Sequence, residues 1–281
     1  MSATISLAGR VAVVTGASRG IGRATAIALA EKGFDVALGA RTVHEGDGRD
    51  DARPGSAPLP GSLEATASAV EALGVRALPV RMDLHERESL TTGAATVLDD
   101  WGRIDVLVNN AVDTGPGSMT TVADTTLDDY QRKLEGNFLA QLVLIHAVLP
   151  HLLERGEGTI VDITSAAGIT DPPAPVGEGG WGLAYAASKA AFHRVAAHLA
   201  VEFGPRGVLA FNVEPGMVMT EKMAINQRAM GLENRFPVAP PSVPAAVVAW
   251  LCSDPEAADH NGETFAAQKF AKERGLHRTW W

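Results

Sequence analysis

Six short apolar runs recur along this chain, each followed by residues that favour helix, and this alternation restricts the fold more than any other feature. The runs are RVAVVT (10–15), DVALGA (35–40), VRALPV (75–80), IDVLVN (104–109), GTIVDIT (158–164) and VLAFNV (208–213). They are mostly continuous rather than alternating in polarity, as expected of strands covered on both faces. Helical patterns lie between them near 21–32, 62–73, 86–101, 126–154 and 182–203. Such an order predicts a parallel sheet with right-handed crossovers and helices on both faces, an α/β doubly wound domain over residues 1–281.

Two segments break the rhythm. Residues 44–61, HEGDGRDDARPGSAPLPG, form a long loop between a strand and its return helix, and a loop of that length in a compact domain is usually functional or disordered. Residues 214–241 are irregular and Pro-rich with several large apolar side chains, and read either as a lid over a site or as a surface excursion. A short C-terminal tail ends in Trp280 and Trp281, a pair that would dock on a neighbouring subunit or near its own pocket, or stay disordered.

Charge and cysteine content exclude several function classes. A net charge of −9 argues against nucleic acid or an anionic membrane as partner, since both favour a basic surface. Cys252 is the only cysteine, so neither an intrachain disulfide nor a cysteine metal cluster can form, and no metal is expected. The opening MSATISLAGR lacks a basic segment followed by an apolar one, so no signal peptide is read. The apolar run 138–153 carries Gln141, His146 and Pro150 and reads as a buried helix rather than a membrane span. A cytoplasmic protein is the expectation.

The first strand runs directly into TGASRGIG (15–22), and a helix follows. Gly16, Gly20 and Gly22 form a G-x-x-x-G-x-G turn. Glycine permits close backbone approach there, and the helix N-terminus offers free N–H groups to an anion such as a nucleotide phosphate. Farther along, Tyr185 and Lys189 stand four residues apart in an Ala-rich helical stretch and share one face. An ammonium beside a phenol lowers the phenol's pKa, so the pair can move a proton at a hydroxyl or carbonyl carbon near neutral pH.

With NNA at 109–111 and YAASK at 185–189 added to the glycine turn, the chain resembles the short-chain dehydrogenase/reductase family from about residue 8 to 266. The resemblance implies a single Rossmann-like domain with about seven parallel strands. It also implies hydride transfer between a nicotinamide cofactor and a carbonyl or alcohol. Tyr185 matches the general acid/base and Lys189 its helper, which also reaches the nicotinamide ribose. Ser165 matches the serine that polarises the substrate oxygen, with Thr164 as the alternative if the alignment slips by one. Asn137 matches the asparagine that kinks its helix and holds a water in the proton relay.

The cofactor positions carry over in the same way. Gly16, Ser18, Arg19, Gly20, Ile21 and Gly22 match the phosphate turn. Asp83, with Leu84, matches the acid at the adenine. Asn109 and Ala111 match positions at the ribose and adenine, and Pro215, Gly216, Val218 and Thr220 match the stretch contacting the nicotinamide and its phosphate. The family also implies a small-molecule carbonyl or alcohol as partner and association into a homodimer or homotetramer.

Cofactor choice is read at the end of the second strand. Ala40 stands where a carboxylate would bind the ribose hydroxyls of NAD, and Arg41 beside it can pair with a 2′-phosphate. With Arg19 nearby, NADP(H) is expected over NAD(H). The loop that follows holds Glu45, Asp47, Asp50 and Asp51, any of which could fold back to the ribose, and Arg49 and Arg53, which could reinforce a phosphate site. Substrate walls are expected from 112–120, 166–184 and 217–240, with Trp181, Met217, Met219, Met223 and Phe236 as candidates. The alternative function is an NADP(H)-binding sensor or scaffold of the same fold with little or no turnover.

Overall fold

The computed structural model describes residues 7–230, 238–278 and 280. Among these residues seven strands form one sheet: β1 (Val11–Thr15), β2 (Asp35–Ala40), β3 (Ala77–Arg81), β4 (Val106–Asn109), β5 (Gly158–Ile163), β6 (Val208–Glu214) and β7 (Thr264–Ala266). They pair in the order β3-β2-β1-β4-β5-β6-β7, every pair parallel. The chain reverses direction across the sheet between β1 and β4. A crevice opens there beyond the carboxyl ends of the strands, where doubly wound sheets bind ligands.

Ten α-helices cover the sheet among the described residues: α1 (Gly20–Glu31), α2 (Leu63–Glu71), α3 (Arg87–Trp101), α4 (Leu127–Leu134), α5 (Ala140–Arg155), α6 (Leu183–His193), α7 (Val195–Phe203), α8 (Glu221–Met230), α9 (Ser242–Ser253) and α10 (Ala267–Glu273). The continuous apolar strands follow from this double cover. In β1, Ala12 and Val14 pack into a core with Leu29 of α1 and Val247 of α9. Val11 and Val13 pack into the opposite core with Leu90 of α3, Leu144 of α5 and Phe192 of α6.

The helical pattern expected over 126–154 is two helices joined by a π-helical turn, Glu135–Leu139. Thr126 and Asp129 start α4 with a reciprocal capping box. The extra residue of the π-turn reorients the backbone and carries Asn137 into the interior. By length and composition the run Leu127–Arg155 could cross a membrane. Here Leu144, Ile145, Val148 and Leu152 of α5 instead lie buried in the core shared with α3.

β7, α9 and α10 lie outside the strand and helix pattern read from the sequence. β7 has three residues, too few to show a period, while α9 is apolar on nearly every side because it is buried against α1 and α10. Residues 44–61 contain no helix or strand but are tied down. Gly61 N–H donates to Glu45 at 2.9 Å, Leu59 N–H to the carbonyl of Gly48 at 3.0 Å, and Lys222 Nζ to Asp50 at 2.8 Å. Part of the segment 214–241 is helical, as α8. Trp280 packs on the core of its own chain rather than standing free, and Trp281 and Phe236 lie outside the described residues.

Candidate active site

The glycine turn joins β1 to α1 with Gly16 at φ +66° and Gly20 at φ +55°, conformations that side chains disfavour. A methyl group on Gly16 would lie 2.6 Å from Asn110 Nδ2, and one on Gly22 would overlap the carbonyl of Gly16. The turn is therefore packed to backbone distance, leaving the first N–H groups of α1 aimed into the crevice. One already holds an anionic oxygen: Glu221 Oε2 accepts the N–H of Gly20 at 3.0 Å. That carboxylate stands in for a phosphate oxygen, and the cradle fits a dinucleotide.

A cavity of about 300 Å³ extends from this turn. Gly16, Ser18, Arg19, Gly20, Ile21, Arg41, Asp83, Leu84, Ala111, Thr164, Tyr185, Lys189, Pro215 and Thr220 border it, as do Arg49 and Asp51, two candidates of the long loop, and Asn110 and Lys222, to which sequence reasoning gave no contact. Several expected cofactor residues do not border it. Asn109 is fully buried and donates to Asp162 at 2.9 Å, whereas Asn110 turns to the glycine loop and donates to the carbonyl of Thr15 at 2.7 Å. Asn109 ends β4, whereas Asn110 opens the turn after it, its N–H donating to the Val108 carbonyl at 3.1 Å, so only Asn110 reaches the crevice. Val218 is buried and bridges to Ala239. Gly216, at φ +68°, packs on Gln268, whose Nε2 donates to the carbonyls of Pro215 at 3.1 Å and Met217 at 2.9 Å and holds the turn after β6.

At the far end of the cavity the charges are arranged differently from the simple expectation. Arg19 turns away from the phosphate turn, its guanidinium donating to the carbonyls of Pro60 and Gly61, each at 2.8 Å, so it secures the long loop. Arg41 pairs with Asp51 at 2.8 Å, and Asp51 also meets Arg132 at 3.3 Å. One loop carboxylate has thus folded back to the cavity beside Arg41, as the acidic loop allowed.

The reacting end brings Ser165, Tyr185 and Asn137 together from the turn after β5, α6 and the π-turn. Ser165 caps the short helical turn 166–168 through Ala167 N–H at 3.2 Å, and its hydroxyl also hydrogen-bonds the Tyr185 phenol. Thr164 instead turns its hydroxyl to the Val213 carbonyl at 3.3 Å, so Ser165 is the one at the tyrosine. Asn137 Oδ1 accepts from Asp113 N–H at 2.7 Å and its Nδ2 donates to Ser188 Oγ at 3.0 Å. Ser188 donates in turn to the Tyr185 carbonyl at 2.8 Å, so Asn137 braces the helix that carries the tyrosine.

The expected lowering of the Tyr185 pKa is not found. Burial raises the phenol above its ordinary value and Glu214 adds to this, outweighing the hydrogen bond from Ser165. Lys189 Nζ donates to the Ile163 carbonyl at 2.8 Å rather than acting on the phenol. Glu214, at the end of β6, accepts the Gly216 N–H at 2.7 Å, and its negative charge acts on the tyrosine.

A phosphate cradle at the head of α1, a crevice at the sheet's switch point and a Ser–Tyr–Lys group beyond it define a dinucleotide-dependent oxidoreductase. The short chain dehydrogenase family model matches residues 10–48 and 57–230, and the chain belongs to that family. The break in the match falls inside the 44–61 loop. The chain is 32% identical over 263 residues to a 3-oxoacyl-[acyl-carrier-protein] reductase of Synechocystis sp., covering 92% of this chain and 96% of the relative. It is 30% identical to the cyclohexanol dehydrogenase of Rhodococcus sp., covering 90% and 93%. A short chain dehydrogenase from Mycobacterium paratuberculosis bound to NAD superposes with a TM-score of 0.76 at 28% identity, covering 94% of this chain and 98% of the other. The protein is accordingly a NAD(P)-dependent dehydrogenase/reductase that interconverts carbonyl and alcohol groups of small molecules.

Proposed function

We propose that the protein uses NADP(H) to interconvert a small-molecule ketone or aldehyde and its alcohol, with Tyr185 as the proton donor in the reductive direction. The observation that carries this reading is the Tyr185 phenol at the border of the cavity, hydrogen-bonded to Ser165 and raised above its ordinary value by burial. A phenol that keeps its proton at neutral pH is suited to give it to an oxygen that gains negative charge. Ser165 donates a hydrogen bond to the same substrate oxygen, an interaction that strengthens as charge develops. Asn137, through Ser188, fixes the direction in which Tyr185 points. NADP(H), when bound, supplies or accepts the hydride.

Gly16, Ser18, Gly20, Ile21 and Thr220 would hold the pyrophosphate, Asp83 and Leu84 the adenine, and Lys189 the nicotinamide ribose. Arg41 and Arg49 both border the adenosine end, where Asp51 pairs with Arg41, and no acid stands at Ala40; the two arginines against one acid support a 2′-phosphate there. Leu134, Leu139 and Leu183 are exposed around α4 to α6, which supports a homodimer or homotetramer formed through these helices. Light scattering of the purified protein tests that assembly.

A panel of ketones and aldehydes followed by nicotinamide absorbance tests the reaction. NADPH is expected to be oxidised with higher kcat/KM than NADH. Tyr185→Phe should lose at least about 100-fold in kcat while NADPH affinity stays within about twofold. Substantial turnover by Tyr185→Phe would remove the tyrosine from this role.

A further inference from the structure

Four cross-strand neighbours form a polar row through one face of the sheet. Asn109 on β4 lies in register with Asp162 on β5, Asp162 with Asn212 on β6, and Asn212 with Thr264 on β7. Strand neighbours in register project from the same face, here the face covered by α6. Lys189 Nζ reaches the Ile163 carbonyl one residue from Asp162, and Asn212 Nδ2 donates to the His193 carbonyl at 2.8 Å.

Asp162 is 0% exposed. Its Oδ1 accepts from Asn109, while its Oδ2 is buried with no hydrogen-bond partner. A carboxylate cut off from water and half satisfied is costly unless a cation compensates it. Lys189 is itself 3% exposed, and its only hydrogen bond among the described residues is to a neutral carbonyl. Each of these two groups is the only charged group acting on the other among the described residues.

We propose that Asp162 is the positioning counter-ion of Lys189, keeping charged the ammonium that would hold the nicotinamide ribose and so setting the upper pH limit of turnover. The proposal rests on the reading of Tyr185 and Lys189 given above. Burial pulls Lys189 down to about 8, opposed by Asp162. Burial likewise pushes Asp162 up to about 7, opposed by Asn109 and Lys189. The lysine therefore loses its charge only just above neutrality, and the carboxylate delays that loss.

The other titratable groups around the pair are few. Tyr185 and His193 lie one turn to either side of Lys189 on α6, and Glu214 at the end of β6 acts on Tyr185. His193 is lowered by burial and by Arg194. β4 contributes Asn109 and the π-turn Asn137, both uncharged.

Asp162→Asn is the direct test, because asparagine keeps the shape and the acceptor for Asn109 while removing the charge. The pH dependence of Lys189 acylation by acetic anhydride, mapped by peptide mass spectrometry, reads the lysine without any substrate. Its midpoint should fall by about one pH unit in the variant, and the high-pH limb of kcat/KM should move down with it. Below pH 6.5 the two proteins should agree within about twofold.

An unchanged acylation midpoint overturns the proposal. So does a loss of kcat/KM that is equal at every pH, since that is what a purely structural role produces. If the wild-type protein turns over no carbonyl, the reading of the site fails, and the acylation midpoint still decides whether Asp162 holds Lys189 charged. Asp162→Ser provides the same comparison should the asparagine variant not fold.

Discussion

Glu221 holds the Gly20 N–H at 3.0 Å across 201 residues of sequence, so the first residue of α8 occupies the anion cradle at the head of α1. The helix N-terminus favours any negative charge placed there, and a cofactor phosphate competes with this carboxylate for the same donor. Glu221→Ala should therefore tighten NADPH binding by about threefold to tenfold, and the gap should narrow as salt screens the phosphate. Fluorescence titration measures it, and weaker binding by the variant would mean that Glu221 assists the cofactor rather than competing with it.

The pair Arg41 and Asp51, 2.8 Å apart, is where the proposed preference for NADP(H) is tested. Asp51 neutralises the cation that would meet a 2′-phosphate. Asp51→Asn should raise the NADPH-to-NADH ratio of kcat/KM by about tenfold, the scale of one close charge pair, and Arg41→Asp should lower or invert it. No change in the ratio with either variant would place the discrimination elsewhere.

Gly22→Ala places a methyl group against the backbone of Gly16 and 2.5 Å from Asn110 Nδ2, neither of which can move without opening the turn. It should cost roughly 1–3 kcal/mol of stability and most of the cofactor affinity. Gly33→Ala is the control. Gly33 has φ +94° but nothing within 4 Å, so that variant should lose only about 1 kcal/mol and bind normally. Thermal melts with and without NADPH separate the two effects.

Lys133 is fully buried, with Nζ 3.2 Å from Asp113 and hydrogen-bonded to the carbonyls of Asp113 and Gly115. Burial would push the Asp113 carboxyl up, but His85, Lys133, Gly115 and Arg132 hold it far below the ordinary value. A depressed carboxylate stabilises the fold above its unfolded pKa and loses that contribution as pH falls toward the folded value. Asp113→Asn should cost about 3–5 kcal/mol at pH 7, because it leaves the lysine unpaired. Urea melts should show the difference from wild type shrinking only as pH drops below 3.8, the value of a free aspartate. A pH-independent difference would mean that the ion pair is not its source.

Much of the fold was legible because its signals are local. The six apolar runs became β1 to β6 with ends shifted by a few residues, as Val75 and Arg76 fell outside β3. Glycine and helix start fixed the cradle in the same way. The site was legible less evenly. Asn109 and Asn110 are adjacent and identical in type, and only the end of β4 between them sends one into the polar row and the other to the crevice. Arg19 stands inside the glycine turn, yet its side chain is taken by carbonyls of the 44–61 loop.

What the sequence by itself determined was the succession of strands and helices, the backbone turn that admits a phosphate, and the side chains available for proton transfer. These follow from periodicity, glycine content and spacing within a few residues. Tertiary structure alone decided what each charge meets: Glu221 the Gly20 N–H, Asp51 Arg41, and Asp113 Lys133. A buried or cleft charge takes its character from the nearest opposite charge and from exclusion of water, and both are set by elements far apart in the chain. The same cause raises the Tyr185 phenol where an i, i+4 spacing alone had suggested that it would fall.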